Sequence, residues 1–156
     1  MISVNAKIPK MIVQVVTLEG KKEINTDELF QGKTILFGLP GAFTPTCSQT
    51  QLPGFAQQEQ ALRAKGYENI ICMAVNDAFV MQAWKEQVAP DANIIMLADG
   101  SGELTKALGL ELDLQEKHMG VRCTRFLLVV ENSLVLKINI EDNPGVCSVS
   151  GAGSLL

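Results

Sequence analysis

The stretch Pro40-Gly41-Ala42-Phe43-Thr44-Pro45-Thr46-Cys47 holds the residue best placed to do chemistry, a cysteine in the expected first turn of a helix. Thr44 is a good N-cap, and Pro45 suits the first helical position, where its missing N–H costs nothing, so Cys47 falls on the third. A capping box places a glutamate there. The unpaired backbone N–H groups and the positive end of the helix dipole that favour that carboxylate also favour a thiolate and lower a cysteine's pKa. A cysteine without a partner is usually a buried, inert residue. Here the strand-ending Pro40-Gly41, the Thr44-Pro45 pair and a second hydroxyl at Thr46 argue for a turn that reaches solvent, and for nucleophilic attack by Cys47.

Arg125 interrupts a segment that is apolar from Phe126 to Val130. A solvated side chain at a strand end is one reading. The other is a fixed guanidinium, whose planar donors hold a thiolate and an oxygen-rich substrate together without losing a proton. Of the remaining cysteines, Cys72 lies within the apolar run Ile70-Ile71-Cys72-Met73 and reads as a core residue, and Cys123 reads as structural. Cys147 follows the turn signal Asn143-Pro144-Gly145 and precedes a tail with Gly151 and Gly153, so it is expected on a mobile segment that travels to a partner thiol. His118, the single histidine, sits in the charged stretch Glu116-Lys117-His118 and reads as an exposed loop residue.

The elements that must position these groups alternate along the chain. Met11 to Thr17 reads as an edge strand, Gly20-Lys21-Lys22 as a turn, and Asp27 to Phe30 as a helical turn. Thr34 to Leu39 is the strand that delivers the cysteine turn. The next helix carries Leu52, Phe55 and Leu62 on one face, with a bend at Pro53-Gly54. Asn69 to Val75 is a continuous apolar run, as for a strand covered on both faces. Asn76-Asp77 then caps a helix with Phe79, Val80, Ala83, Trp84 and Val88 on its buried side. Asn93 to Leu97 repeats the strand, and Asp99-Gly100-Ser101-Gly102 opens a short helix. Thr124 to Val130 and Leu134 to Ile140 flank Glu131-Asn132-Ser133 as a hairpin. A parallel start with an antiparallel finish predicts an α/β fold with a mixed sheet.

The 156 residues, 47% of them hydrophobic, fit one domain spanning 1–156 with a sizeable core. A net charge of −4 speaks against nucleic acid or an anionic membrane as partner. The longest apolar segments fall well short of the roughly 18 residues that cross a bilayer. Residues 1–16 lack a signal-peptide core, which predicts a cytoplasmic protein, or an organellar one if a presequence was removed. Without a C-x-x-C pair, zinc-ribbon and dithiol readings fail, and four cysteines in a domain with a large core are expected reduced at rest.

Pro40-x-x-x-Thr44-x-x-Cys47 with a downstream Arg125 resembles the active-site pattern of peroxiredoxins. Leu52-Pro53-Gly54-Phe55, Val75-Asn76-Asp77-Ala78-Phe79-Val80, Ala98-Asp99-Gly100-Ser101-Gly102-Glu103 and Leu108-Gly109-Leu110-Glu111-Leu112 are similar to the type II, or peroxiredoxin-5-like, subfamily. The likeness covers about residues 30 to 147. It implies a thioredoxin-like fold and a thiol peroxidase acting on hydrogen peroxide and organic hydroperoxides. Cys47 would become a sulfenic acid, Arg125 and Thr44 would hold thiolate and peroxide, and Pro40 would shield the thiolate from water. No metal or organic cofactor is implied. In animal-type members a late cysteine resolves the sulfenic acid, and Cys147 lies in that place. In plant-type members Cys72 matches the usual candidate, although a core strand cannot easily bring it within disulfide reach. A monothiol cycle with glutathione or glutaredoxin is the further alternative, and thioredoxin the reductant of a disulfide.

Two other readings start from the same turn. One is a cysteine hydrolase using His118 as base, for which no other residue provides support. The other is a thioredoxin-like binding module switched by oxidation of Cys47. The resemblance also implies a homodimer, with Phe43, Phe79 and Trp84 as candidates for its apolar face.

Overall fold

In the computed structural model, the backbone of residues 1–156 and every side chain except that of Cys47 are described. The two longest apolar runs become the centre of the molecule. Strand β3 (Lys33–Gly38) pairs in parallel with β4 (Asn69–Ala74), and β4 pairs in parallel with β5 (Ile95–Ala98). On the other side of β3 lies β8 (Phe126–Glu131), antiparallel, followed by β9 (Leu134–Ile140) across the expected hairpin. With β1 (Ile12–Thr17) and β2 (Gly20–Asn25), which the short α1 (Thr26–Leu29) follows, the sheet order is β2-β1-β5-β4-β3-β8-β9. The mixed α/β architecture with its antiparallel finish follows the sequence reading.

Alternation along β3 explains why its position is so firmly set. Ile35 and Phe37 enter one core together with Leu52, Phe55 and Trp84, while Leu36 enters the other with Ile71, Phe126 and Leu128. Both faces are covered, so a one-residue slip would exchange two complete sets of contacts. Phe37 stacks on Phe55 with ring centroids 4.0 Å apart. Gly38 is needed where the Phe126 ring crosses the strand, because a Cβ would lie 2.1 Å from it.

Several elements depart from expectation. Ile12–Thr17 is not the edge strand, since Gly20–Asn25, of which Gly20-Lys21-Lys22 reads as a turn, pairs outside it as β2. That segment carries Lys21, Lys22 and Glu23, a polar pattern that protects an edge from further pairing but hides its strand character. A second, two-stranded sheet of β6 (Glu111–Leu114) and β7 (Gly120–Cys123) was not anticipated. Helix α4 (Ala78–Val88) buries Ala78, Met81, Trp84 and Lys85, leaving Phe79 exposed under the Lys21 ammonium, 3.6 Å from the ring centroid. Asp77 caps it by accepting from the Val80 amide, which fixes the start and therefore the phase of the buried face.

The active-site helix is also not the simple bent helix expected. Residues Cys47–Gln51 form a π-helical turn, followed by α2 (Leu52–Gln57) and, after a break at Gln58, α3 (Glu59–Ala64). Pro53 has no N–H for the carbonyl one turn back. Widening the preceding turn changes the hydrogen-bond register before the proline, which then falls in the first turn of α2 where no donor is missed.

Candidate active site

Beyond β3 the chain runs through Leu39 to Phe43 and enters the helix at Pro45. Hydrogen bonds from several elements hold this loop. The Ala42 N–H donates to Asn76 Oδ1 at 2.9 Å, tying it to the end of β4. The Arg122 guanidinium donates to the carbonyls of Pro40 at 3.1 Å and Met119 at 2.8 Å. The Thr44 hydroxyl donates to the Gly41 carbonyl at 2.8 Å. Thr44 is thus an N-cap in its backbone, whose carbonyl accepts from the Ser48 N–H at 2.9 Å, but its side chain turns back into the loop instead of toward the helix amides. Its single proton is committed to Gly41, so its oxygen offers lone pairs to the pocket.

Pro40, Thr44 and Arg125 line one open pocket of about 210 Å³, together with Thr46, Met119 and Pro144. The sequence singled out these three, and the fold brings them together at the start of the helix that carries Cys47. The side chain of Cys47 lies outside the described residues. Arg125 is not solvated; it is only 2% exposed. Its Nε donates to the Pro144 carbonyl at 2.9 Å and its Nη1 to Gln51 Oε1 at 2.6 Å. Both of these acceptors are neutral, and in a site of reduced dielectric the field of a guanidinium is strong.

Gln51, 1% exposed, was not recognised from sequence. Its amide orientation follows from chemistry: a guanidinium only donates, so the oxygen faces Arg125, and the nitrogen donates to the Ser150 carbonyl at 3.2 Å. Gln51 therefore joins the pocket to the C-terminal segment. A polar residue beside Leu52 on a buried helix face was the only signal, and its partners lie far along the chain.

That segment is not the loose tail expected from its glycines. Glu141, 5% exposed, accepts from the Ser148, Val149 and Ser150 N–H groups and from the Ser148 and Ser150 hydroxyls, all at 2.6 to 2.8 Å. Burial disfavours its charge, but the hydrogen bonds from Ser150 and Ser148 outweigh burial and hold the carboxyl at about 2. Thr46 adds a hydroxyl bond to the Gly145 carbonyl at 2.8 Å, and Ala152 and Leu155 are buried in the main core. Glycine flexibility is overridden because each polar group between residues 144 and 150 that these contacts engage has a partner on a neighbouring element.

Cys147 is half-buried in this anchored segment, with Sγ 3.8 Å from Ser150 Oγ. Cys72 is fully buried at the centre of the sheet, as expected. Cys123 is also fully buried and its thiol donates to the Leu39 carbonyl at 3.1 Å, so it braces the strand end that leads into the site. His118 is exposed, at a left-handed φ of 61°, and does not line the pocket. Trp84, offered as a surface residue for self-association, is fully buried and donates its indole N–H to Ser48 Oγ at 2.8 Å.

A larger groove of about 710 Å³ runs between β1 and the ends of β4 and β5. Its innermost acid, Asp99, is engaged by the amides of Leu104 and Thr105 and the Thr105 hydroxyl, where it caps α5 (Glu103–Leu108). The smaller pocket, with the guanidinium, is the better chemical site. Among the described residues, no His, Cys, Asp and Glu side chains are grouped as metal ligands, and no helix is long and apolar enough to cross a membrane.

Comparison with known proteins gives consistent matches. The redoxin family model matches residues 3–156. The chain is 50% identical over 124 residues to peroxiredoxin-2C of Oryza sativa subsp. japonica, covering 80% of this chain and 76% of that protein. It is 41% identical over 160 residues to the chloroplastic peroxiredoxin-2E of Arabidopsis thaliana, covering 99% and 68%. The crystal structure of reduced Prx3 from Vibrio vulnificus in complex with H2O2 superposes with a TM-score of 0.92 at 40% identity, covering 99% of this chain and 97% of the other.

Proposed function

Because the chain belongs to the redoxin family and, within it, to the type II peroxiredoxins, thiol enzymes that reduce peroxides, we propose that Cys47 is its peroxidatic residue, served by Pro40, Thr44 and Arg125. The observation that carries this assignment is the buried Arg125 guanidinium, aligned on the same pocket as Pro40 and Thr44 at the head of the Cys47 helix.

The Cys47 thiolate attacks one oxygen of the peroxide. The S–O bond forms as the O–O bond breaks, and the leaving oxygen departs as alkoxide or hydroxide, which takes up a proton. Cys47 is oxidised to a sulfenic acid and the peroxide is reduced. Arg125 stabilises the thiolate and the charge growing on both oxygens, while the Thr44 oxygen accepts from the peroxide O–H and orients it. Pro40 closes one side against water. Hydrogen peroxide is a substrate by similarity to the Vibrio vulnificus complex, and organic hydroperoxides are admitted by the open pocket. Replacing Cys47 with serine is expected to abolish peroxide consumption in a coupled assay; wild-type turnover by that variant would overturn the assignment.

Cys147 is the favoured resolving thiol, since Cys72 is sealed in the central strand and would need local unfolding to reach a partner. Thioredoxin would reduce the resulting disulfide, and glutathione or glutaredoxin would serve a sulfenic acid left open. Self-association as a homodimer is supported by Phe43, 47% exposed on the loop before the Cys47 helix, and Phe79, 73% exposed in the first turn of α4, since the Ala42 to Asn76 hydrogen bond ties that loop to the segment leading into α4. A reducing compartment suits this cycle, either the cytoplasm or, by similarity to the chloroplastic relative, an organelle.

A further inference from the structure

Cys147 sits between two anchors. On its N-terminal side, the Pro144 carbonyl is held by Arg125 and the Gly145 carbonyl by Thr46. On its C-terminal side, Ser148 to Ser150 are held by five hydrogen bonds to the Glu141 carboxylate, a count taken among the described residues. The Cys147 thiol faces the second anchor: Sγ lies 3.8 Å from Ser150 Oγ, and a Cβ on Gly151 would meet it at 3.4 Å. Ser150 Oγ is itself bound to Glu141, and the Ser150 carbonyl to Gln51.

We propose that Glu141 is a positioning residue for the resolving half of the cycle: its carboxylate latches Ser148–Ser150 and so sets how long the Cys47 sulfenic acid persists before Cys147 reaches it. The inference rests on Cys147 as the resolving thiol. Glu141 touches no reacting atom. Its effect is on the segment that must let go. With no slack between Cys147 and Ser148, the Cys147 backbone cannot move away from the tail while the amides and hydroxyls of the next three residues are held, which leaves the thiol only its own rotation. When the latch opens, the Cys147 thiolate attacks the sulfenic sulfur. The S–S bond forms, the S–O bond breaks, and the departing hydroxide combines with the proton released by the thiol to give water. While it stays closed, an external thiol has time to attack first. The latch thus decides the share of turnovers that pass through an internal disulfide.

The test uses Glu141→Gln, which keeps shape but loses the charge and part of the acceptor capacity, and the milder Ser148→Ala/Ser150→Ala, which leaves the three backbone bonds in place. Reduced protein is mixed with one equivalent of hydrogen peroxide. Cys47 oxidation is followed by Trp84 fluorescence, and samples quenched with dimedone are resolved by peptide mass spectrometry. The oxidation rate constant is expected to stay within about twofold of wild type in both variants. Formation of the Cys47–Cys147 disulfide is expected to rise by at least about fivefold in Glu141→Gln and by less in the serine pair, on the scale of hydrogen bonds worth about 1 kcal/mol each. Glutathione capture should fall correspondingly. A disulfide rate in Glu141→Gln equal to or below wild type overturns the latch alone. If wild type and variants all remain as the Cys47 sulfenic acid, Cys147 is not the resolving thiol and the latch falls with it.

Discussion

A guanidinium at the pocket must do two things at once, stay charged while buried and stay pointed while substrates change. Arg125 meets both conditions because two of its edges are committed in different directions, Nε to Pro144 and Nη1 to Gln51. A lysine carries its donors on one nitrogen at the end of a flexible stem and cannot span both acceptors in a fixed plane. Arg125→Lys is therefore expected to lower the second-order rate constant for Cys47 oxidation by at least about tenfold, the scale of a mispositioned transition-state donor. Stopped-flow Trp84 fluorescence measures it, and an unchanged rate would show that charge alone suffices. The fluorophore is well placed because its N–H is bound to Ser48, the residue after Cys47. Ser48→Ala leaves that buried N–H without its acceptor and is expected to cost about 1 to 3 kcal/mol in urea unfolding. A loss within error of zero would mean that water replaces the hydroxyl.

At the scale of elements, the C-terminal segment depends on a single carboxylate. Glu141 is ionised in the folded protein down to about 2, against 4.5 for an ordinary glutamate. A depressed folded pKa contributes stability that is complete above the unfolded value and is lost as pH falls through the folded one. The window is accordingly from about pH 4.5 down to about pH 2, and the contribution at neutral pH is roughly 3 kcal/mol at 1.36 kcal/mol per pKa unit. Urea unfolding of wild type across that window should lose stability that Glu141→Gln, already weakened, does not lose. Parallel pH profiles for the two proteins would remove Glu141 as the cause. The π turn at Cys47–Gln51 shows the same principle in the backbone: Pro53, which cannot donate, shapes the turn ahead of it and thereby the approach of Gln51 to Arg125.

For the whole molecule, two phenylalanines are exposed, Phe43 beside Thr44 and Phe79 in the first turn of α4. Phe43 also holds a left-handed φ of 66°, which a bulky residue adopts only where its surroundings impose it. Phe43→Ser combined with Phe79→Ser is expected to shift sedimentation from dimer toward monomer while leaving the thermal transition of the fold in place. A wild-type protein that sediments as a monomer at high concentration would overturn the dimer.

The local part of this protein was determined by its sequence. The apolar runs at Thr34 to Leu39 and Asn69 to Val75 admit little but central strands, and Thr44-Pro45-Thr46-Cys47 marks a helix start, because the fit of Pro45 to the first helical position depends on immediate neighbours. Patterns that compete with surface chemistry misled: the charged start of β2 read as a turn, and α4, whose cap at Asp77 was legible, turns Phe79 and Ala83 outward and buries Met81 and Lys85 instead. Tertiary structure alone decided whether Arg125 was solvated or buried, whether the glycine-containing tail was loose or held, and that Gln51 joins the two. Those contacts link residues 74 to 99 positions apart or depend on a strand end brought beside the active-site helix. Their partners are chosen by the sheet order, in which β3 lies next to β8 and β9, and a hydrogen bond between distant groups exists only after that order has been formed.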